Sequence, residues 1–326
     1  MTWGKTLSTI AAAFAAIVSL PSAAQEAAVD QQFDAVFGTE AQAPIDFDKN
    51  LAARIEAVAD GSRGRIGVAA MDLSTGQTLG VLDRQFFPMA STSKIAVAAT
   101  FMEGVEQGRW SLTSEFPLLW PLRSKPFSSR AAPVREGKHL PAIELIELML
   151  TRSSNPSTDA LLRVVGGPEA VNDWMRRNGI EDFSLDRDIA TLVRDDGEYD
   201  PATKIDTRDA ATPRAMLQLL AGLHNGDFLS AKSRAVILSA MSRCRTGKRR
   251  IPALMPSGAK VAHKTGSLNN TSSDVGFITA PSGRTYAVAI YVTGQGSRSN
   301  REARIARIAR ELLDGYEELR QSNYGG

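Results

Sequence analysis

The sequence predicts an α/β (α+β) fold in which a mainly antiparallel sheet, flanked by helices, is built from both ends of the chain around an inserted all-helical subdomain. Three observations support this fold class. Strand patterns occur at residues 65–83 and return at 260–292. Helical periodicity dominates between these regions, from Ser91 to about Leu238. The composition, 43% hydrophobic and 23% charged residues, is that of an ordinary globular protein.

The first 24 residues have the pattern of a secretory signal peptide. Lys5 is their single charged side chain, the apolar stretch Ile10–Val18 follows, and small residues at 22–24 suit a signal peptidase. A membrane anchor needs roughly 20 apolar residues, and this stretch is much shorter. We therefore expect export, most simply to the periplasm, with no stable membrane insertion and with residues 25–45 as a flexible tail.

The catalytic domain is expected over residues 46–320 of the chain. Its α/β part should comprise about 46–90 and 250–320, and its helical part about 91–249. Turns at residues 74–76 and 281–283 bound the expected strands, and apolar residues at spacings of three and four mark the last helix. The expected elements of the α/β part are a helix carrying Leu51, Ile55 and Val58, strands at Arg65–Leu73, Gln77–Asp83, Lys260–Gly266, Asp274–Ala280 and Arg284–Val292, and a last helix at Asn300–Arg320.

Composition also excludes several classes of function. The net charge of +2 is too small for a protein that binds nucleic acid through phosphate contacts. The single cysteine, Cys244, excludes a disulfide within the chain, and the three scattered histidines do not form a zinc motif. We therefore expect a monomer that needs no metal or organic cofactor.

The strongest local feature is Ser91-x-x-Lys94, placed where a loop turns into a helix. Residues three apart lie on one helix face, so the amine can approach the hydroxyl. An amine acts as a base for serine when burial and a second cation lower its pKa. The helix N-terminus adds N–H groups and positive partial charge where an oxyanion would develop.

Two further motifs give this pair its context. Lys264-Thr265-Gly266 lies on a predicted strand near the C-terminal end, and Ser153-x-Asn155 lies in the helical part. The first supplies a cation, a hydroxyl and a main-chain N–H in a row. Because each motif is short, their order and separation carry the weight.

In order and separation, the three motifs resemble those of class A serine β-lactamases and related penicillin-recognising hydrolases. The resemblance runs from roughly Phe47 to Tyr316. It includes Leu185-Asp186-Arg187 and Asp209, the usual two ends of the loop that floors the active site, where an Arg–Asp pair would clamp the loop.

The resemblance implies a role for each matched residue. Ser91 would attack the β-lactam carbonyl, with Lys94 as the candidate base, Ser153 as proton relay to the leaving nitrogen and Lys264 holding the relay and the substrate carboxylate. By the same resemblance, Asn155 would bind the substrate's side-chain amide and Thr265 its carboxylate, with Arg250 as a second cation for that carboxylate. Gly266 and Ser267 on the same strand complete the implied binding residues. The N–H groups of Ser91 and Ser267 would form the oxyanion hole.

The sequence departs from the family pattern at two places. Ser154 replaces a carboxylate of the Ser-Asp-Asn motif. In the floor loop, Ile189 and Val193 stand where the family has the glutamate and asparagine that hold the hydrolytic water. Since neither side chain can accept a proton, the acyl-enzyme should be trapped unless another carboxylate substitutes, with Glu198 as the nominal choice.

Three functions remain open on these residues. The first is a β-lactamase that turns over and inactivates antibiotics. The second is a DD-peptidase-like or esterase-like serine hydrolase of cell-wall peptides, which β-lactams would acylate. The third is a β-lactam-binding protein that is acylated without turnover. The expected partner is accordingly a small β-lactam or a peptidoglycan-like peptide.

Overall fold

A five-stranded antiparallel sheet forms the centre of the computed structural model, which describes residues 49–60 and 63–324. Its strand order is β2-β1-β10-β9-β8, so strands from both ends of the chain are neighbours. The expectations for the signal peptide and the tail, residues 1–45, lie outside the described residues. The strands of this sheet are β1 (Ile66–Asp72), β2 (Thr78–Val81), β8 (Lys260–Leu268), β9 (Thr271–Thr279) and β10 (Thr285–Thr293).

Helices cover both faces of the sheet, and further strands lie between the helices along the chain. The helices are α1 (Lys49–Val58), α2 (Lys94–Glu106), α3 (Ala142–Arg152), α4 (Asn155–Val165), α5 (Pro168–Arg177), α6 (Ile189–Arg194), α7 (Pro213–Asn225), α8 (Ala231–Ser242) and α9 (Arg298–Tyr324). The remaining strands are β3 (Phe87–Pro88), β4 (Glu115–Pro121), β5 (Val134–Pro141), β6 (Phe183–Ser184) and β7 (Ala210–Ala211), and 3₁₀ turns lie at Ala90–Ser93 and Ile251–Leu254.

Strand β10 shows why this sheet is the middle layer. Its residues are buried on both faces and alternate between two apolar clusters. Tyr286 and Val288 face the terminal helices α1 and α9, whereas Ala287 and Tyr291 face the helical part. The sheet is thus buried between two helical layers, as the sequence predicted.

The inserted part is helical apart from the antiparallel hairpin β4–β5 and the short strands β6 and β7. The hairpin was not predicted from the sequence. Both of its strands are largely exposed, so no run of alternating apolar residues marks them.

Strand β9 begins at Thr271, three residues before the expected start at Asp274. Its first three residues are polar yet buried, because they pair with β8 on one side and with β10 on the other. Among the described residues, no helix is both long enough and apolar enough to cross a bilayer.

Candidate active site

Ser91 lies in the 3₁₀ turn that leads into α2, beside the edge strand β8. Its predecessor Ala90 has φ 49°, a left-handed conformation that non-glycine residues rarely adopt. The turn is fixed by Thr92, whose Oγ1 donates to the Met89 carbonyl at 2.8 Å and lies 3.1 Å from the Tyr291 hydroxyl. The Ser91 side chain is half-buried, as expected for a nucleophile reached from a cleft.

Lys94 is fully buried, one turn after Ser91. Its Nζ donates to the Ser153 carbonyl at 2.8 Å and to the Asn155 Oδ1 at 2.7 Å. A third, longer contact of 3.3 Å joins Nζ to the Ser153 Oγ. A neutral amine can keep the two short bonds and leave its lone pair free to accept a proton.

The Ser153 hydroxyl lies between two buried amines. Lys264 Nζ donates to the Ser153 Oγ at 3.0 Å and to the Thr265 carbonyl at 2.8 Å. Ser153 itself has φ 59° and ends α3, so a strained backbone residue presents the hydroxyl. The structure therefore brings four of the predicted residues together. Lys94 and Lys264 both contact the Ser153 hydroxyl, and Asn155 contacts Lys94.

Burial weakens the basicity of both amines. Burial, helped by the Lys264 charge, holds the pKa of Lys94 well below its ordinary value, and Asp159 opposes this shift. Burial also lowers the pKa of Lys264 to about 8. Near neutral pH the lowered pKa of Lys94 favours its neutral form, whereas Lys264, with a pKa of about 8, remains largely charged.

Gly266 allows β8 to lie against the 3₁₀ turn that contains Ser91. A Cβ on Gly266 would lie 2.6 Å from the Met89 carbonyl oxygen and 2.5 Å from the Ser273 Oγ. Only glycine lets the strand approach this closely. Thr265 is nearly buried, and its Oγ1 lies 2.6 Å from the Thr246 Oγ1.

Arg250 is buried beneath β8, with 1% of its side chain exposed. Its Nη1 donates to the carbonyls of Gly266 and Ser273 at 2.8 and 2.7 Å. Its Nη2 donates to the Ser267 Oγ at 2.6 Å and to the Glu302 Oε1 at 3.3 Å. The guanidinium thus contacts β8 at the Gly266 carbonyl and at the side chain of the exposed Ser267.

The floor loop is clamped as the resemblance implies. Arg187 Nε donates to the Asp209 Oδ2 at 2.6 Å, and Asp209 Oδ1 accepts the N–H groups of Asp186 and Arg187. The Met89 N–H donates to the Asp209 carbonyl at 3.0 Å, which joins the end of the loop to the turn that contains Ser91.

Asp159 ties the floor loop to the active-site helix, and it was not identified from the sequence. Its Oδ1 accepts the Ile189 N–H at 2.7 Å and its Oδ2 accepts the Ala190 N–H at 2.9 Å. Burial raises the pKa of Asp159 to about 7, although these N–H groups and Lys94 oppose the shift. The available signal was its position on α4, four residues after Asn155 and therefore on the same face.

The other carboxylates of the floor loop have partners there or in adjacent loops. Glu198 accepts from Arg208 at 2.8 Å on the exposed side of the loop, and the structure does not bring it to the cluster around Ser153. Asp196 accepts the Asn269 N–H at 2.8 Å. Ile189 is buried, and the Val193 side chain is exposed.

Ser154 takes over a local role in place of the carboxylate that the family has there. Its hydroxyl caps α4 by accepting the Ser157 N–H at 3.3 Å, and it lies 2.8 Å from the Ser157 Oγ. Among the described residues, no group of three or more histidine, cysteine, aspartate or glutamate side chains could hold a metal ion.

Comparisons with known proteins agree with this geometry. The model of the β-lactamase enzyme family matches residues 50–316. The chain is 28% identical to the extended-spectrum β-lactamase PER-1 of Pseudomonas aeruginosa, over 84% of this chain and 88% of that protein. It is 30% identical to β-lactamase SME-1 of Serratia marcescens, over 77% of this chain and 85% of that protein.

Solved structures show the same architecture. A β-lactamase from Chitinophaga pinensis superposes with a TM-score of 0.72 at 28% identity, covering 82% of this chain and all of that one. A single-substitution mutant of the class A β-lactamase of the last common ancestor of Gram-negative bacteria gives a TM-score of 0.71 at 30% identity, over 82% of this chain and 98% of that one. With its matched motifs, its antiparallel sheet and its buried pair of lysines, the chain belongs to the class A serine β-lactamase family.

Proposed function

We propose that this protein is a serine β-lactamase-type hydrolase in which β-lactams acylate Ser91 and the acyl-enzyme hydrolyses slowly. The observation that carries the proposal is the convergence of Lys94 Nζ and Lys264 Nζ on the Ser153 hydroxyl, at 3.3 and 3.0 Å. A buried pair of amines with a hydroxyl between them, beside a serine on a helix N-terminus, can move a proton from nucleophile to leaving group.

Acylation follows from these contacts. Neutral Lys94 takes the Ser91 hydroxyl proton while the serine oxygen bonds to the lactam carbonyl carbon. The N–H groups of Ser91 and Ser267 stabilise the oxyanion. As the carbon–nitrogen bond breaks, Ser153 gives its proton to the nitrogen and regains one from the lysine pair. Lys264 and Thr265 attract the substrate carboxylate, and Asn155 binds its side-chain amide.

Arg250 contributes to carboxylate binding through Ser267 in this proposal. Its Nη2 donates to the Ser267 Oγ, which orients that hydroxyl and leaves its proton available to the substrate. The positive charge lies directly behind the hydroxyl, since Arg250 is buried under the strand.

Hydrolysis of the acyl-enzyme is expected to be slow. Ile189 offers no base to a water molecule, and Glu198 is bonded to Arg208 away from Lys94. Asp159 is held by two backbone N–H groups, which supports a role in fixing the loop. Loss of a positioned general base typically costs a factor of about 10² to 10⁴ in rate.

Intact-protein mass spectrometry after mixing with a chromogenic cephalosporin tests the proposal. We expect one adduct per protein, on the peptide that contains Ser91, and a slow return to the free mass. Ser91→Ala should abolish the adduct. Ser257→Ala is the matched control, because Ser257 begins the other Ser-x-x-Lys match and is exposed. Absence of both adduct and turnover in the wild type would refute the proposal.

Acylation without turnover is the second candidate, and the apolar Ile189 at the loop position specifically favours it. A DD-peptidase-like or esterase-like hydrolase of cell-wall peptides would present the same acylated serine. A peptide substrate ending in two D-alanines identifies the peptidase case, because a peptidase releases D-alanine from it whereas a β-lactamase or a binding protein does not.

The cellular setting belongs to the same proposal. The signal-peptide pattern of the first 24 residues supports export to the periplasm, where a monomeric enzyme would meet β-lactams and inactivate them. Cell fractionation with an antibody to the protein tests this placement.

A further inference from the structure

A second cluster of reactive side chains lies on the strands that carry Lys264. His263 precedes Lys264 on β8, and its Nδ1 lies 2.8 and 2.9 Å from the two carboxylate oxygens of Asp274 on β9. Asp274 is fully buried and also accepts the Ile251 N–H at 3.2 Å. The imidazole is therefore held in one orientation by a buried carboxylate.

The loop that carries Cys244 packs against the imidazole, since a Cβ on Gly247 would lie 3.6 Å from His263 Cε1. Asp274 occupies Nδ1, so Nε2 is the nitrogen left to other partners, and interaction with the Cys244 thiol shifts the pKa values of both groups. A thiol, an imidazole and a carboxylate in this order form the arrangement that activates cysteine nucleophiles. His263 is 3% exposed, whereas Cys244 is half-buried and therefore reachable from solvent.

Charges around the cluster favour the thiolate. Burial opposes ionisation of Cys244, but the His263 hydrogen bond and charge outweigh it and lower the thiol pKa to about 7. Burial opposes the charged form of His263 and by itself would lower its pKa, but Asp274 outweighs burial and raises the pKa of His263 to about 10. Lys264, on the same strand, is a further cation within electrostatic range of Cys244.

The thiol is connected to the substrate-binding strand through two hydroxyl groups. Cys244 Sγ lies 3.3 Å from the Thr246 Oγ1, which lies 2.6 Å from the Thr265 Oγ1. A Cβ on Gly247, which follows Thr246, would lie 2.3 Å from Thr265 Cγ2, so this loop is packed directly on the strand. A change at the sulfur therefore acts on Thr265 by contact and on Lys264 by charge.

We propose that Cys244, His263 and Asp274 form a thiol-modification site at which hydroperoxides oxidise Cys244, and that the oxidised sulfur alters the adjacent β-lactam site. The thiolate sulfur attacks one peroxide oxygen, a sulfur–oxygen bond forms and the oxygen–oxygen bond breaks. The leaving hydroxide or alkoxide takes a proton from the His263 imidazolium. Sulfur is oxidised by two electrons to the sulfenic acid, and the peroxide is reduced to water or an alcohol.

Mass spectrometry of the intact protein tests the reactive thiol directly, because Cys244 is the only cysteine. We expect iodoacetamide to alkylate the wild type with a half-maximal rate near pH 7. Hydrogen peroxide with dimedone should give one sulfenic acid adduct at neutral pH. Cys244→Ser, the control, should give neither product.

His263→Gln separates an activated thiol from a merely accessible one. Its thiol should titrate near the ordinary value, and the lower thiolate fraction, partly offset by higher intrinsic nucleophilicity, should slow alkylation at neutral pH by about fivefold. If this variant does not fold, the wild-type profile decides alone. A half-maximal rate at or above about pH 8.5, or no dimedone adduct, would overturn the proposal.

The effect on the neighbouring site rests on the proposed function and has its own readout. Peroxide-treated wild type should be acylated by the cephalosporin at least severalfold more slowly than untreated wild type. For Thr246→Val, the treated and untreated forms should differ much less in acylation rate. Equal acylation rates for treated and untreated wild type would overturn the coupling. Absence of acylation in every protein would instead count against the proposed function, while the alkylation profile would still report on the thiol.

Discussion

At the scale of single residues, the chemistry depends on burying two amines together. Lys94 and Lys264 are fully buried, and loss of water is the main reason that the pKa of each is lowered. Their contacts with Ser153 and Asn155 keep donors and acceptors matched, so burial produces a base and not an unpaired polar group.

Lys94→Met should abolish most acylation because it removes the base while retaining the volume of the side chain. We expect the acylation rate to fall by about 10² to 10⁴, the usual contribution of a positioned base. The loss over time of the mass-spectrometric signal of the free protein, with a cephalosporin in excess, measures this rate. Acylation within a factor of two of the wild type would show that another group takes the Ser91 proton.

The pH dependence of substrate affinity should follow Lys264. Its pKa lies near 8, so the cation that attracts the substrate carboxylate is lost as the pH rises through that value. We therefore expect the apparent affinity for a penicillin to weaken above about pH 8, whereas a flat profile to pH 10 would contradict the assignment. The substrate concentration that gives half of the maximal acylation rate, measured across this range, gives the profile.

The pair of His263 and Asp274 should make stability depend on pH in the opposite sense from a carboxylate alone. The pKa of His263 is about 10 in the folded protein and 6.5 ordinarily, so its stabilising contribution is full below pH 6.5 and is lost as the pH rises through about 10. His263→Gln should accordingly lower the free energy of unfolding more near pH 6 than near pH 10. Urea unfolding at both pH values measures the difference, and equal effects would contradict the ion pair.

At the scale of elements, two segments place the site. The 3₁₀ turn before α2 presents Ser91, and the edge strand β8 presents Lys264 and Thr265 to it. The floor loop is held from below by Asp159 on α4 and from its end by Asp209. The site is thus assembled from rigid elements whose mutual spacing sets its geometry.

Gly266→Ala should separate β8 from the turn that contains Ser91. The added Cβ would overlap the Met89 carbonyl and the Ser273 hydroxyl, so the strand must move. We expect a loss of about 1 to 3 kcal/mol in stability, as for other overpacked sites, together with slower acylation. Thermal unfolding and the acylation rate check the two effects. Wild-type values for both would show that the close approach is not needed.

Restoring the family residues in α6 should release the trapped acyl-enzyme. In the double variant Ile189→Glu and Val193→Asn, the glutamate supplies the base that the chain lacks, and we expect hydrolysis to be faster by about 10² or more. Ile189→Gln with Val193→Asn is the matched control, because glutamine has the same shape and cannot take the proton. Equal lifetimes in the two variants would mean that the base is not what limits deacylation.

At the scale of the whole molecule, the central sheet is buried between two apolar layers. This burial determined which strands could be predicted from the sequence. Strands β1 and β10 were predicted because nearly all of their residues are buried, which gives each a short and mostly apolar run of sequence. The hairpin β4–β5 was not predicted because its exposed strands carry no such pattern.

The candidate site divides in the same way. Ser91, Lys94, Ser153 and Lys264 could be identified because local motifs mark them. The partners of Asp159 and Arg250 could not be read from the sequence, because both side chains act across long stretches of chain that only the fold brings together. The cluster of Cys244, His263 and Asp274 could not be predicted from the sequence either, since its members come from three different segments.

The central prediction is that acylation at Ser91 is faster than hydrolysis, and stopped-flow kinetics with a chromogenic cephalosporin test this most directly. We predict a burst of product whose amplitude equals the enzyme concentration, followed by a much slower steady rate. A linear time course with no burst, at enzyme concentrations where one turnover is visible, would contradict it.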